Sequence, residues 1–341
     1  MQGTGMMQRP ILRKVFRAGC CAVLLLGLFS LYAWSEGSEL EKLSFLPTWR
    51  PQAQFAGYYV ALEKGFYRRE SIDLEIIPGG PDRSPRSYLV NRKADIVSMW
   101  LSTAVQLAAD GVDIGHIAQV IQRSALMMVA GAGSGIHSLS DMDGKRVAMW
   151  PSDFQIQPMV LFERQGLTVR PITLAGTLNL FLRGGAEVAL IMWYNEYNAL
   201  RMYGMDPDRM YAVYFSDTEL NFPEDGLYVL GDTWFARENL LCRFVKASFE
   251  GWRYAFDHPE EAVDIVMAAM RRESVPASRS HQKWMLSCMK SLIQPAVGGR
   301  IGVLSESDYL RVARVLEEDH RISGTPNFDY FSKGCMNDVS Q

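Results

Sequence analysis

Short apolar segments alternate with helix-forming segments along most of the chain, and this alternation constrains the fold more than any other feature. The first part carries apolar, strand-like segments at 43–46, 74–77, 94–98 and 114–121, with helical patterns at 55–64, 87–91 and 102–109 between them. Gly65 and Gly111 follow two of these helices, where glycine is a common terminator. Strands that alternate with helices in this way form a mainly parallel sheet covered on both faces. The sequence therefore predicts an α/β fold.

A second unit of the same kind follows the first. Its strand-like segments lie at 126–130, 145–150, 172–174 and 187–192, and its helical patterns at 139–143, 157–165 and 177–183. Residues 227–230 form a further apolar segment, which we expect to return the chain to the first unit. From Trp234 to about Asp319 the apolar residues recur at helical spacing, so this part is predicted to be helical. We therefore expect two α/β units, with the chain passing from one to the other more than once.

The first thirty-five residues have the pattern of an export signal. Four cations, the last of them Arg17, precede the apolar run from Ala22 to Trp34, and no acidic residue interrupts the segment. Such a run is typical of a signal peptide and short for a membrane span. We predict cleavage near Ser35 and a periplasmic location; an uncleaved N-terminal membrane anchor is the alternative.

Charge, cysteines and histidines exclude several classes of function. Loss of residues 1–35 would take the net charge from −3 to about −7, so no basic surface for nucleic acid is expected. The remaining cysteines, Cys242, Cys288 and Cys335, and the five histidines lack metal-ligand spacing. We predict no metal site and no cofactor. In an exported protein we expect a Cys242–Cys288 disulfide, with Cys335 free.

Large aromatic residues follow several of the predicted strands. Trp49 follows the first strand, Trp100 the third, and both Trp150 with Phe154 and Trp193 with Tyr194 follow strands of the second unit. In open α/β sheets ligands bind outside the carboxyl ends of the strands. Each tryptophan alone is more typical of a core or an interface than of a ligand site. Their recurrence at four strand ends predicts a site for a flat, heteroaromatic ligand held by stacking.

Two carboxylates are placed to orient such a ligand. Glu196 begins the helix after the strand that carries Trp193, and Asp225 precedes the return strand. A carboxylate can accept hydrogen bonds from an exocyclic amine or a protonated ring nitrogen. Glu196 is equally suited to compensating the dipole of its helix. For Asp225 a plain turn before Gly226 is the simpler interpretation.

Three segments together resemble a known family of substrate-binding proteins. The segments are TWRPQAQFAGYYVALEKGFYRRESIDLEIIPGG from Thr48, KADIVSMWLSTAVQLAADGVDI from Lys93 and SGIHSLSDMDGKRVAMW from Ser134. They resemble the THI5/NMT1-like group, which includes receptors of ABC importers for pyrimidine precursors and sulfonates. The stretch TWFARENLLCRFVKASFEGWRYAFDHPEEAV from Thr233 is similar to the helical C-terminal part of that group, and the resemblance covers nearly all of residues 42–270.

This resemblance implies a type II periplasmic binding protein fold in two lobes that close on a ligand. The first lobe would comprise residues 40–123 with 226–341, and the second residues 124–225. The partners would be a small-molecule ligand, an ABC permease and an ATPase, and the protein would act as a monomer. The best-matching ligand is a pyrimidine precursor of thiamine, with riboflavin or an alkanesulfonate as alternatives. An extracytoplasmic sensory role, working through a separate transducer, is also open.

Two positions argue against the enzymes of the same group. The fungal pyrimidine synthases that the chain resembles carry a lysine for pyridoxal phosphate and a nearby histidine. This sequence has Met99 and Thr103 at those positions, and a thioether cannot form a Schiff base. We therefore predict a binding protein and no catalytic residues. The expected ligand contacts come from both lobes: Trp49, Phe55, Tyr58, Trp100, Phe154, Trp193, Tyr194, Glu196 and Asp225.

Overall fold

The computed structural model describes residues 40–174, 176–294 and 300–336. The predicted export signal at 1–35 lies outside these residues. Within the described part of the chain, every helix is too short or too polar to cross a membrane. Both β-sheets described below belong to one compact unit that begins at Glu41.

The first sheet contains five strands in the order β2-β1-β3-β10-β4. Strand β1 pairs in parallel with β2 and β3, and β10 runs antiparallel to both β3 and β4. Four strands therefore point the same way and one is reversed. The strands are β1 Glu41–Leu46, β2 Ile72–Ile76, β3 Ile96–Trp100, β4 Ile114–Gln119 and β10 Asp225–Leu230.

The second sheet repeats this arrangement with the order β7-β6-β8-β5-β9. Strand β6 pairs in parallel with β7 and β8, and the reversed strand β5 pairs with β8 and β9. The strands are β5 Leu126–Ala130, β6 Arg146–Met149, β7 Arg170–Thr173, β8 Val188–Met192 and β9 Tyr211–Tyr214. Two mixed sheets of this composition confirm the predicted α/β class.

Helices flank both sheets, and we call each sheet with its helices a lobe. The first lobe carries α1 Ala56–Glu63, α2 Phe66–Arg69, α3 Pro85–Val90, α4 Leu101–Ala109, α8 Gly231–Asp257, α9 Pro259–Arg272, α10 Arg279–Ile293, α11 Glu306–Glu318 and α12 Phe328–Phe331. The second lobe carries α5 Ile156–Arg164, α6 Asn179–Leu182 and α7 Glu196–Met202. The residue boundaries of the lobes given above remain a prediction.

The reversed strand of each sheet is the one that the chain enters after it crosses between lobes. Residues 120–125 lead from β4 into β5, and residues 215–224 lead from β9 into β10. A reversed strand begins at the edge where its parallel neighbours end. Both crossings therefore arrive beside the carboxyl ends of the parallel strands, which is the edge where the sequence predicts the ligand.

Helices α1 and α8 pack so closely that only glycine fits at their crossing. A Cβ atom on Gly57 would lie 2.3 Å from Cγ of Trp252, and one on Gly251 would lie 2.1 Å from the carbonyl oxygen of Gly57. Tyr58, on the next position of α1, contacts the Trp252 ring at 5.9 Å between centroids. This crossing fixes the long helix α8 on the first lobe.

The disulfide joins Cys242 to Cys335, so the predicted Cys242–Cys288 pairing is wrong. The two bonded residues have Cα atoms 5.1 Å apart. Cys288 is a free thiol on the buried face of α10, 4% exposed. The pairing arises because the segment after α12 returns along β4, where the amides of Lys333 and Cys335 donate to carbonyls of that strand. Order along the sequence does not reveal this return.

Candidate functional site

The reversed strand β10 brings an acidic residue beside an aromatic one at the edge of the first sheet. Trp100 is the last residue of β3 and Asp225 the first of β10, and the two face each other in register. Since β10 runs against β3, its first residue meets the carboxyl end of that strand. Asp225 therefore lies at the sheet edge where ligands bind, although its sequence context is that of a turn.

The loop after β1 is fixed to the same edge by hydrogen bonds. The hydroxyl of Thr48 lies 2.9 Å from Oδ2 of Asp225, and the Thr48 amide donates to Oγ of Ser98 at 2.8 Å. Cβ on Gly79 would lie within 2.4 Å of the carbonyl oxygens of Pro47 and Trp49. Only glycine at this position allows the loop to pack there, and the ring of Trp49 in this loop is half-buried.

The second lobe contributes the predicted aromatic residues from the corresponding sheet edge. Trp193 and Tyr194 follow β8, and the Trp193 amide donates to the carbonyl of Ala125 at 3.0 Å. Phe154 lies in a 3-10 turn after β6. Its ring contacts that of Trp100 with 4.5 Å between centroids. Aromatic side chains of the two lobes thus meet directly across the site.

The carboxylate of Glu196 is held in a defined orientation. Its Oε2 accepts from the amide of Met192 at 2.9 Å, and its Oε1 accepts from the side-chain amide of Asn195 at 2.7 Å. Burial raises the pKa of Glu196 despite these bonds. The carboxylate points back towards the end of β8, which places it at the ligand-facing edge and also at the first turn of α7.

Carboxylates from both lobes surround Tyr194. Burial, and then the negative charges of Glu224, Asp225 and Glu196, raise the pKa of the Tyr194 hydroxyl well above its usual value. Burial also raises the pKa of Asp225 to about 7, although the bond from Thr48 opposes this shift. Oδ1 of Asp225 has no hydrogen-bond partner among the described residues. A buried, unpaired acceptor is costly, so this oxygen is suited to receive a donor from a ligand.

Glu224 is a buried carboxyl beside Asp225 that the sequence pattern did not single out. Its Oε1 accepts from Oγ of Ser124 at 3.0 Å and from the amides of Ala125 and Leu126 at 2.7 and 3.2 Å. These donors lie at the first crossing and Glu224 ends the second, so one buried carboxyl ties the two crossings together. Burial raises the pKa of Glu224 to about 8. In the sequence, its position beside Asp225 in the loop NFPEDG could have pointed to this residue.

Phe55 and Tyr58 lie behind the site, in the core of the first lobe. Each is 2% exposed, and the Tyr58 ring contacts that of Phe45 at 4.6 Å between centroids. Their roles as ligand contacts stay a prediction that this conformation does not favour. The remaining predicted residues lie at the two sheet edges described above or in the segments that follow the strands there: Trp49, Trp100, Phe154, Trp193, Tyr194, Glu196 and Asp225. Among the described residues, histidine, cysteine and carboxylate side chains form no group of three suited to a metal ion.

A family model described as NMT1/THI5 like matches residues 52–262. Among curated proteins, the chain is 20% identical to a formylaminopyrimidine-binding protein of Halalkalibacterium halodurans over 79% of this chain and 82% of that protein. It is 23% identical to riboflavin-binding protein RibY of Chloroflexus aurantiacus over 66% of each chain. The match of the family model covers more than half of the chain and includes the first-lobe helices α1 to α4 and α8 and the whole second sheet.

The two-lobed arrangement also occurs in solved structures. The periplasmic aliphatic sulphonate binding protein SsuA of Escherichia coli superposes with a TM-score of 0.63 at 15% identity, covering 85% of this chain and 91% of that one. At this identity the similarity shows the fold alone. It confirms the predicted two-lobed periplasmic binding protein fold.

Proposed function

The chain belongs to the NMT1/THI5 like family, and from this premise we propose that it is the substrate-binding component of an ABC importer for a small heteroaromatic compound. The observation that carries the proposal is the meeting of Trp100 and Phe154, at 4.5 Å between ring centroids, from opposite lobes. A flat ligand between these rings would separate them to about 7 Å, twice the usual distance between packed carbon atoms. Contacts to both lobes at once would then favour the closed conformation.

The charges at the site favour a ligand that carries amino groups over an anion. Glu196 and Asp225 can accept hydrogen bonds from exocyclic amines or a protonated ring nitrogen. Together with Glu224 they surround Tyr194 with carboxyl groups, which offer acceptor oxygens to amino groups and no cation to pair with a sulfonate. Of the ligands named for similar proteins, a formylaminopyrimidine fits these groups best. We therefore propose a pyrimidine precursor of thiamine as the ligand, with riboflavin as the alternative.

The disulfide supports a location outside the cytoplasm. Cys242 and Cys335 are bonded, and disulfides persist in oxidising compartments such as the bacterial periplasm. Together with the predicted export signal, this bond favours a periplasmic protein that passes its ligand to a permease and an ATPase. The curated relatives described above are named as binding proteins. With Met99 at the position of the synthase lysine, we propose that the chain has no enzymatic activity.

The direct test is to identify the ligand that the protein carries. Purified mature protein would be denatured and the released compounds identified by mass spectrometry. Calorimetry would then compare a formylaminopyrimidine, riboflavin and an alkanesulfonate. We expect the formylaminopyrimidine to bind most tightly. Binding of the alkanesulfonate together with no binding of either aromatic compound would overturn the proposed site.

Trp49→Ala tests the stacking wall itself. Loss of one aromatic stacking surface costs about 1–3 kcal/mol, so the dissociation constant for the formylaminopyrimidine should rise about 5- to 150-fold. Phe235→Ala is the matched control, because Phe235 is an exposed aromatic residue on α8, 71% exposed. Both variants should keep the wild-type melting temperature within a few degrees. Unchanged affinity in a folded Trp49 variant would remove this ring from the site.

A further inference from the structure

Two consecutive residues of α10 connect the opposite walls of the site. The side chain of Gln282, which is 1% exposed, accepts from the amide of Ala53 at 2.8 Å and so holds α10 to the first lobe close to the Trp49 loop. The preceding residue, His281, turns to the second lobe. Its Nε2 lies 2.8 Å from Oδ1 of Asn195, and its Nδ1 lies 3.0 Å from Nδ2 of Asn198. Helix α10 therefore spans from one wall to the other.

The hydrogen-bond roles in this contact are fixed by chemistry at both ends. An ionised Glu196 can only accept, so the 2.7 Å contact to Nδ2 of Asn195 makes that amide nitrogen the donor. Oδ1 of Asn195 is then the acceptor for His281, which must carry its proton on Nε2. Nδ1 is left as an acceptor, and the amide of Asn198 donates to it. In this series of hydrogen bonds each residue donates to the next: Asn198 to His281, His281 to Asn195, and Asn195 to Glu196.

This series of hydrogen bonds requires a neutral imidazole ring on His281. A proton on Nδ1 would face the amide hydrogens of Asn198 and break the contact. Burial lowers the pKa of His281, which favours the neutral ring near pH 7. A second contact joins the same helices, with the guanidinium carbon of Arg201 5.1 Å from the centre of the Trp284 ring. The helices α7 and α10 are thus in contact at two places along their length.

We propose that His281 is a positioning residue that couples closure of the two lobes to the orientation of the site carboxylate Glu196. Closure brings α10 against α7, and the bond from His281 then fixes the amide of Asn195, which in turn holds Oε1 of Glu196. Oε2 is already held by the Met192 amide at 2.9 Å. The carboxylate is thereby presented in one orientation only when the lobes meet. The inference rests on the proposed function, because it assumes that Glu196 binds the ligand.

A double-mutant cycle tests the coupling. His281→Ala should raise the dissociation constant for a formylaminopyrimidine about tenfold in the wild-type background. In a Glu196→Gln background the same substitution should change it less than twofold, because the residue acts through that carboxylate. His281→Gln offers an N–H donor at the same reach and should recover most of the affinity. Ser280→Ala, an exposed neighbour on α10, should have no effect.

Additive effects of His281→Ala and Glu196→Gln, or no effect of His281→Ala on affinity, would overturn the proposal while leaving the ligand assignment intact. A measurement without ligand separates it from the proposed function. Nitrogen-15 NMR of the imidazole rings, with the His281 signal assigned by its loss in His281→Ala, should show that this ring is neutral with its proton on Nε2, and Asn195→Ala should perturb that signal alone among the five histidines. A His281 ring that is charged, or protonated on Nδ1, at pH 7 would refute it even if no aromatic probe binds.

Discussion

Asp225 combines a buried position with an unpaired oxygen, and this combination makes ligand binding sensitive to pH. Burial raises its pKa to about 7, so most of the carboxyl is protonated at pH 6 in the free protein. A ligand amine that donates to Oδ1 stabilises the ionised form and lowers this pKa. Binding of a formylaminopyrimidine at pH 6 should therefore release close to one proton, and at pH 8.5 almost none.

Calorimetry in two buffers with different ionisation enthalpies measures this proton release. Asp225→Asn is the control, since the amide cannot titrate and its proton release should fall to near zero at pH 6. The substitution should also weaken binding about tenfold, the usual order of one charge-assisted hydrogen bond. Proton uptake by the wild-type protein, or equal release by the asparagine variant, would contradict the assignment.

Glu224 should make the protein less stable as the pH rises. Its pKa is about 8 in the folded protein and about 4.3 in an unfolded chain, so the folded state binds more protons between these values. Stabilisation from this group is complete below about pH 4 and is lost as the pH rises through 8. Asp225 acts in the same direction over a narrower range, up to about pH 7.

Glu224→Gln should flatten this dependence. All three donors to Glu224 reach Oε1, which an amide oxygen can replace, and the ionised form is removed. Thermal unfolding should show a smaller fall in stability from pH 5 to pH 8, with the variant more stable than wild type at pH 8. Glu238→Gln, an exposed glutamate on α8, controls for loss of a negative charge. If the stability of the glutamine variant fell with rising pH as steeply as that of the wild type, Glu224 would be ionised in the folded wild-type protein throughout this pH range.

For single residues, the sequence predicts which aromatic side chains follow strands better than it predicts which carboxyl groups lie at the site. Tryptophans after the strands were identifiable because strand ends are set by local pattern. Glu224 and Asp225 stand in a loop whose composition is that of a turn, and their roles depend on β10 being reversed. That reversal pairs Asp225 with Trp100, over a hundred positions apart in the chain. Local pattern contains no information on such a pairing.

Among the elements, the crossing of α1 and α8 depends on Gly251. Alanine is the better helix former by about 1 kcal/mol, so the substitution would stabilise an isolated helix. Here its Cβ would lie 2.1 Å from a backbone oxygen of α1, and overpacking of this kind costs about 1–3 kcal/mol, or more against rigid backbone. We expect Gly251→Ala to lower the free energy of unfolding by at least 1 kcal/mol.

Urea denaturation provides the measurement, with Gly324→Ala as the control. A Cβ on Gly324 meets no atom within 4 Å, so that variant should match wild type within about 0.5 kcal/mol. Wild-type stability of the Gly251 variant would mean that the helices lie farther apart than described.

Most helices and strands could be predicted from the sequence, because the spacing of apolar residues and the glycines that end helices are local features of the chain. The strand predicted at 126–130 has the observed bounds, and the helix predicted at 102–109 begins one residue earlier, at Leu101. The helix predicted at 55–64 begins instead as a 3-10 turn at Ala53–Phe55. That turn forms because the side chain of Gln282 holds the Ala53 amide, a contact between distant parts of the chain.

For the whole molecule, the disulfide stabilises the return of the C-terminal segment along the first sheet. The amides of Lys333 and Cys335 donate to carbonyls of His116 and Ile117 on β4 at 2.8 and 3.2 Å. Hydrogen bonds of a single short segment on an open edge would break readily on their own. The bond to Cys242, across a separation of 93 residues, holds this segment in place and restricts the unfolded chain.

Replacing both Cys242 and Cys335 by serine should therefore lower the free energy of unfolding by about 3–5 kcal/mol, the range for a closed loop of this length. A reductant should destabilise the wild-type protein by a similar amount and leave the double variant unchanged, since Cys288 is not bonded. Hydrogen exchange should show that protection of the Lys333 and Cys335 amides is lost before that of the central strands. Peptide mapping that links Cys242 to Cys288 would contradict this pairing, and the C-terminal segment would then have no covalent tie to α8.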